Sequence, residues 1–282
     1  MIARLAVVGV GLLGGSVALA ARARGVVREI VGVGRDRARL EAPLRAGAVD
    51  RVTTDLEAGV RDADVVVLAA TVLANERLLA EAWPALSPTA LVTDVGSTKR
   101  GIAETADRLA ATTPRTFVGS HPMAGSEKSG YDVARADLFD GATVIVTPTD
   151  ACAPHAVKSV TALWEALGAR VSVLDPAAHD RVVAAISHLP HVAAWALMDA
   201  VARFEPGALA FAARGFKDTT RIAASDPAMW TDILLDNRDA VLASVRTLRT
   251  AVEDFERLVA GGDASTIAAA LARLKAQREA VA

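Results

Sequence analysis

RLAVVGVGLLGGS, residues 4–16, is the stretch on which the fold turns. The apolar run ending at Val8 reads as a strand buried on both faces. Gly9, Gly11 and Gly14 then follow with the spacing G-x-G-x-x-G, and residues 12 to 24 carry an Ala/Leu helical pattern. A strand, a glycine turn and a helix in this order is the context in which that spacing cradles a pyrophosphate. The glycines permit a tight turn, close approach of backbone to phosphate and close packing of helix on sheet. The helix N-terminus at Leu12 and Leu13 favours negative charge. The same glycines would also serve a plain strand-to-helix turn.

Outward from this unit the chain keeps alternating. EIVGVG precedes a helical pattern over 36–46, ADVVVLAAT one over 74–83 and ALVTDVG one over 98–111, and TFVGSH and ATVIVTP are further strand-like runs. Unbroken Val/Ile/Leu strands separated by helices predict a doubly wound α/β domain of Rossmann type. After Pro148 only RVSVL at 170–174 reads as a strand, and 178–203, 227–260 and 264–280 read as long helices. Two domains are therefore expected, a dinucleotide-binding domain over 1–150 and a helical domain over 151–282. Helices this long with apolar faces need a partner, so a homodimer through the helical half is expected.

Composition narrows the function. Lys plus Arg number 31 against 33 for Asp plus Glu, and neither sign dominates a long stretch, so nucleic acid is not an expected partner. Cys152 is the only cysteine, which excludes an internal disulfide and a Cys-based zinc site and fits a cytoplasmic compartment. Residues 1–21 imitate a secretory leader, but Gly9, Gly11, Gly14 and Gly15 interrupt the run and a second apolar strand follows. No other stretch approaches the roughly 18 to 20 uninterrupted apolar residues of a spanning helix, so no membrane association is expected.

The end of the second strand speaks to the nucleotide. An acid for the ribose hydroxyls is expected there, yet the sequence runs Val33-Gly34-Arg35-Asp36-Arg37. Without the acid a 2′-phosphate is not repelled, and Arg35 with Arg37 or Arg39 suits it, so NADP is favoured over NAD. A solvated helix start explains the same arginines, and Asp36 could also serve the ribose hydroxyls one turn late.

GSHPMAGSEKSG, residues 119–130, holds one histidine among small residues. His121 is expected just past a strand, on the carboxyl edge where doubly wound sheets place ligands. TDVGSTK, residues 93–99, ends the preceding strand at the same edge, bringing the Ser97 hydroxyl to the same crevice unless that serine serves only as a helix cap. An imidazole with an ordinary pKa near 6.5 is a receptive base at neutral pH.

Taken with SHLPH at 187–191 and GFKDTTRIAASDPAMWTDI at 215–233, these stretches make the chain resemble the prephenate and arogenate dehydrogenase family along nearly its whole length. The resemblance implies a nucleotide-binding domain followed by a helical dimerisation domain. It also implies NAD(P)-dependent oxidative decarboxylation of prephenate to 4-hydroxyphenylpyruvate, or of arogenate to tyrosine. His121 would take the proton of the ring hydroxyl while hydride leaves for the nicotinamide, and Ser97 would hold hydroxyl and imidazole in line. Arg221 matches the family's substrate-binding arginine, and Lys217, four residues earlier, shares its face if the segment is helical. His188 and His191 would line the pocket on a helix kinked by Pro190, and Glu127 lies in the His121 loop. No metal site is expected, because only distant His179 could complete a ligand set. His155 and His179 themselves read as surface residues at helix starts. Two departures from the family are visible: Gly34 in place of the acid, and Thr71-Val72 where an Ala, Thr, Pro run is common, which would alter a nucleotide-side helix start. A β-hydroxyacid dehydrogenase shares the two-domain plan but gives no reason for GSHPMAG beside SHLPH. A non-catalytic NADPH-sensing module would keep the glycine turn alone.

Overall fold

The computed structural model describes residues 1–125 and 128–281. The first unit comprises β1 (Ile2–Val8), α1 (Leu12–Ala23), β2 (Val27–Val33), α2 (Arg37–Arg45), β3 (Arg51–Thr53), α3 (Leu56–Val60), β4 (Val65–Leu68), α4 (Val72–Ala82), β5 (Leu91–Asp94), α5 (Arg100–Thr112) and β6 (Thr116–Phe117). Its six strands form one parallel sheet in the order β3-β2-β1-β4-β5-β6. The order reverses beside β1, so the crevice of a doubly wound sheet opens at the carboxyl ends of β1 and β4. Leu5 and Val7 pack into the core on one face of the sheet, and Ala6 and Val8 into the core on the other. Burial on both faces is why β1 reads as an unbroken apolar run. The opening apolar stretch is thus the central strand of the sheet and its first helix.

The TFVGSH run is not one strand. Phe117 still pairs with Val92 of β5, whereas β7 (Gly119–Pro122) turns away to pair antiparallel with β8 (Thr143–Thr147), setting His121 opposite Ile145. After α6 (Pro154–Ala166), β9 (Arg170–Val173) returns parallel to β8 and completes a second, three-stranded sheet. Ala156, Val160, Leu163, Trp164 and Leu167 from α6 and its end share one buried core with Leu5, Val7 and Val17. The boundary expected near residue 150 therefore falls inside the α/β half, because α6 buries its apolar face against it and β9 pairs with β8. The chain leaves that half only after β9.

The helical half contains α7 (Pro176–Val183), a π turn (Ala184–His188), α8 (Leu189–Phe204), α9 (Arg214–Thr220), α10 (Pro227–Asp236), α11 (Arg238–Gly261) and α12 (Ala264–Glu279). Asp226 caps α10 by accepting from the Met229 N–H at 2.8 Å, as its place before Pro227 leads one to expect. The helix expected over 227–260 is broken at Asn237, whose φ of −99° and ψ of 29° are not helical and whose side chain is buried. Pro190 was expected to kink the helix over 178–203. The irregularity lies one turn earlier, where the π turn inserts an extra residue ahead of Leu189-Pro190; such bulges re-aim side chains on either side of them. The whole run Pro176–Phe204 is, by length and composition, long and apolar enough to cross a membrane, whereas the sequence was read as holding no such stretch beyond its start. Here it carries His179, Asp180 and His188 into the interior.

Candidate active site

Two glycines of the nucleotide cradle, Gly9 and Gly14, leave no room for a larger residue. Gly9 adopts φ +97°, and a Cβ on it would lie 2.6 Å from the Ala69 carbonyl oxygen. A Cβ on Gly14 would lie 2.0 Å from the Gly9 carbonyl oxygen. Gly11 precedes α1 with open space beside it and no side-chain cap, so the N–H groups of Leu12 and Leu13 begin the helix uncovered by a side chain. This is the arrangement that admits a pyrophosphate. Gly34 follows β2 against the side chain of Leu40. Arg35 and Asp36 are exposed, and the Asp36 carboxylate caps α2 through the Ala38 N–H at 2.9 Å. Thr71 stands exposed at the start of α4 without a capping side-chain bond, so the departure at Thr71-Val72 leaves the helix start in place.

A cleft of about 430 Å³ is lined by Ser97, His121, His188, His191, Arg221 and Trp230, among others. It brings together the serine, three histidines and arginine singled out from the sequence. Lys217 is exposed on α9 and does not line it; α9 gives way to a 3-10 turn at Arg221. Glu127 lies outside the described residues. Ser97 is not a helix cap. The first N–H groups of α5, on Lys99 and Arg100, are instead accepted by Asp180 Oδ1 and Oδ2 at 2.8 and 3.0 Å.

His121 is nearly buried within β7. Its Nδ1 lies 2.9 Å from Nε2 of His179, whose Nδ1 lies 2.8 Å from Asp180 Oδ1. His179, expected at the surface, is fully buried; it comes from α7, which packs against α5 and β8. Behind His121, the fully buried Lys99 ammonium pairs with Asp94, which also accepts from the N–H groups of Gly96 at 2.8 Å and Ser120 at 3.1 Å. Burial first, and then the charges of His179, Lys99 and His188, hold the His121 pKa well below its ordinary 6.5. Burial also pushes His188 down to about 4 and lowers His179 despite the hydrogen bond to Asp180. Asp180 goes the other way: burial favours its neutral form, but the bonds from His179 and from the two backbone N–H groups outweigh it and lower the pKa. All three imidazoles are therefore neutral at pH 7 beside an ionised Asp180.

On the helical side Asn237 Nδ2 donates to the Asp180 carbonyl at 2.8 Å and lies 3.2 Å from His188 Nδ1. Trp230 stacks on His191 with ring centroids 3.7 Å apart, and its buried indole N–H has no hydrogen-bond partner among the described residues. The site thus holds a neutral base, a guanidinium and an indole donor around one cleft. Among the described residues no group of three or more His, Cys, Asp or Glu could hold a metal. Lys99, His179, Asp180 and Asn237 were not singled out from the sequence. Trp230 was not singled out either, and nothing local marks these five residues, whose roles depend on contacts across many residues.

Comparison with known proteins follows the same division. The family described as "Prephenate dehydrogenase, nucleotide-binding domain" matches residues 17–173, and "Prephenate dehydrogenase, dimerization domain" matches 175–273. Prephenate dehydrogenase from Bacillus subtilis (strain 168) is 39% identical over 238 residues, 83% of this chain, which spans 64% of that relative's length. The structure of prephenate dehydrogenase from A. aeolicus with hydroxyphenyl propionate and NAD+ superimposes with a TM-score of 0.91 at 31% identity, covering 100% of this chain and 99% of that one. Synechocystis arogenate dehydrogenase superimposes with a TM-score of 0.85 at 32% identity, covering 99% and 100%. With both halves matched and the base, guanidinium and glycine cradle in place, the chain belongs to the prephenate dehydrogenase family.

Proposed function

We propose that this chain oxidises prephenate with loss of carbon dioxide to 4-hydroxyphenylpyruvate, using a nicotinamide nucleotide, in the route to tyrosine. The observation that carries this reading is a neutral, nearly buried imidazole, His121, lining one cleft with Arg221. The glycine cradle fits a dinucleotide because a Cβ at Gly9 or Gly14 would occupy its turn. Leu12 and Leu13 would hold the pyrophosphate at the start of α1. The bound nucleotide supplies the hydride acceptor.

The residues of the chain then handle one proton and two carboxylates. His121 receives the proton of the ring hydroxyl as the ring C–H hydride departs. When carbon dioxide leaves, the ring becomes aromatic with its electron pair on that oxygen, and the same imidazole returns the proton. No net proton is released, and His121 ends neutral. Ser97 sits beside His121 in the cleft wall and orients the hydroxyl. Arg221 suits bidentate binding of one carboxylate, and the Trp230 indole N–H is available to the substrate. His191, stacked on Trp230, and His188 close the apolar side.

The nucleotide we favour is NADP: Gly34 follows β2 with no carboxylate there, and Arg35 is exposed beside it. We also read the chain as a cytoplasmic homodimer. α12 buries none of its residues within one chain and α11 only Val241, while Val252, Phe255 and Val259 stand exposed along one side of α11. A second copy would cover them. One assay tests the activity: purified protein with prephenate or arogenate, each with NAD and NADP, following the reduced nucleotide. Turnover of prephenate is expected, and His121→Asn should lower it by roughly 10² to 10⁴. Turnover of arogenate alone moves the reading to that substrate. A reaction unaffected in His121→Asn removes the assigned base.

A further inference from the structure

Two histidines of the cleft are tied to one residue, Asp180, and the hydrogen bonds fix which nitrogen of each ring carries the proton. Asp180 Oδ1 and Oδ2 accept from the backbone N–H groups of Lys99 and Arg100 at the start of α5. Backbone N–H groups only donate, so they sustain the ionised, acceptor-only form of the carboxylate. His179 Nδ1, 2.8 Å from Oδ1, must then carry a hydrogen. A neutral imidazole has one, so His179 Nε2 is an acceptor. Facing it at 2.9 Å, His121 Nδ1 must in turn be the donor, which leaves the lone pair of His121 on Nε2. The second branch runs through Asn237. Its Nδ2 must be the amide nitrogen, because it lies 2.8 Å from the Asp180 carbonyl oxygen, an acceptor only. That NH₂ group also faces His188 Nδ1 at 3.2 Å, so His188 accepts there and carries its hydrogen on Nε2.

We propose that Asp180, acting through His179 on one side and Asn237 on the other, holds His121 and His188 in opposite tautomers, one presenting a bare Nε2 and the other an Nε2–H. His179, Asp180 and Asn237 are positioning residues and touch no substrate. The proposal rests on the reading of His121 as the base. It adds that the imidazole meets the substrate hydroxyl already in the accepting tautomer, with no proton to relocate first. When His121 becomes cationic, its Nδ1–H still points along His179 to the Asp180 carboxylate, which stabilises the charge without taking the proton. His188 Nε2–H is correspondingly a donor, suited to an anionic oxygen and unable to compete for the hydroxyl proton.

Nitrogen-15 to carbon-bound-proton correlation NMR on the wild-type protein tests this directly. His121 should show a protonated Nδ1 and bare Nε2, and His188 the reverse. Protonation of His121 on Nε2 in the wild type overturns the proposal without any variant. His179→Phe keeps ring volume but offers no acceptor. It should let the Nε2–H tautomer of His121 appear and lower kcat by roughly 10²-fold, a loss no larger than that of the base itself. His179→Gln, whose amide oxygen can accept from Nδ1–H, should recover most of both. If folded His179→Phe keeps the wild-type tautomer of His121 and the wild-type kcat despite its lost acceptor, the relay does not act. A wild-type protein with the stated tautomers but no turnover of prephenate or arogenate sinks the functional reading and leaves the relay intact. Turnover with the opposite tautomer does the reverse.

Discussion

Lys99→Met shows how far the base depends on the ion pair beneath it. The Lys99 and Asp94 side chains are 0% and 1% exposed. Removing the ammonium leaves a carboxylate in the interior with no counter-charge, and breaking a buried pair this way typically costs about 3–5 kcal/mol. Asp94 keeps the N–H groups of Gly96 and Ser120, which places the expected loss at the lower end, about 3 kcal/mol. For a chain of this length that is a fall in Tm of roughly 6–12 °C. Catalysis should shift as well, because the Lys99 charge is one of the causes holding His121 below its ordinary pKa. The acid limb of kcat/KM should move to higher pH while staying below 6.5, since burial remains the first cause. Calorimetry at pH 7.5 and a pH profile of kcat/KM measure the two effects. Asp94→Asn with Lys99→Met, which removes both charges and keeps an acceptor for the two N–H groups, should regain much of the stability. A Tm within about 2 °C of wild type together with an unmoved acid limb would refute the reasoning.

Gly14→Ala places a methyl group 2.0 Å from the Gly9 carbonyl oxygen; the turn must open, and nucleotide binding followed by fluorescence titration should weaken by at least roughly 10-fold. His188, held down to about 4 in the folded chain, stays neutral while its unfolded form takes a proton below about 6.5. Its stabilising effect is full above that pH and is lost as the pH falls towards 4, about 3 kcal/mol in all; a midpoint in urea that does not move between pH 7 and pH 5 contradicts it. Glu76 on α4 is pushed up to about 7 by burial and by Asp236 of α10. A raised carboxyl pKa makes the folded state less stable as pH climbs from 4.5 through 7, so Glu76→Gln should stabilise the chain at pH 8 by on the order of 1 kcal/mol, discounted for partial exposure, and not at pH 5. Equal Tm changes at the two pH values would show that the carboxyl pair is not strained.

What could be read from the chain was what local chemistry dictates. The glycine turn is specified within six residues, and β1 and β4 announce burial on both faces by their composition. Ser97, His121, His188, His191 and Arg221 all line the cleft because short segments carry them there. What was not legible depends on contacts between distant parts. His179 sits one residue from Asp180 at the start of a helix, and such a position usually faces water; its burial comes from β7, 58 residues earlier in the chain. The strand-to-strand change at Val118 leaves no trace in TFVGSH, since both halves are apolar or small. Asn237 interrupts a helical periodicity that its neighbours on both sides continue. The boundary expected near 150 followed a change in composition, whereas the chain stays with the α/β half through the burial of α6 and the pairing of β9 with β8.

The placement of Asp180 carries a consequence for how the two halves work together. His121 belongs to the α/β half, and the groups that orient it, His179 and Asp180, belong to α7. The same carboxylate also satisfies the first N–H groups of α5, which an α-helix leaves unpaired. One residue therefore stabilises a helix of the nucleotide-binding half and sets the base of the site, so docking of the halves and readiness of the base are a single structural event. Were the halves to separate, α5 would lose its cap and His121 its acceptor together. Substitutions in α7 far from any substrate atom should for that reason change kcat rather than KM, whereas changes at Arg221, which faces the cleft from the helical half alone, should fall on KM.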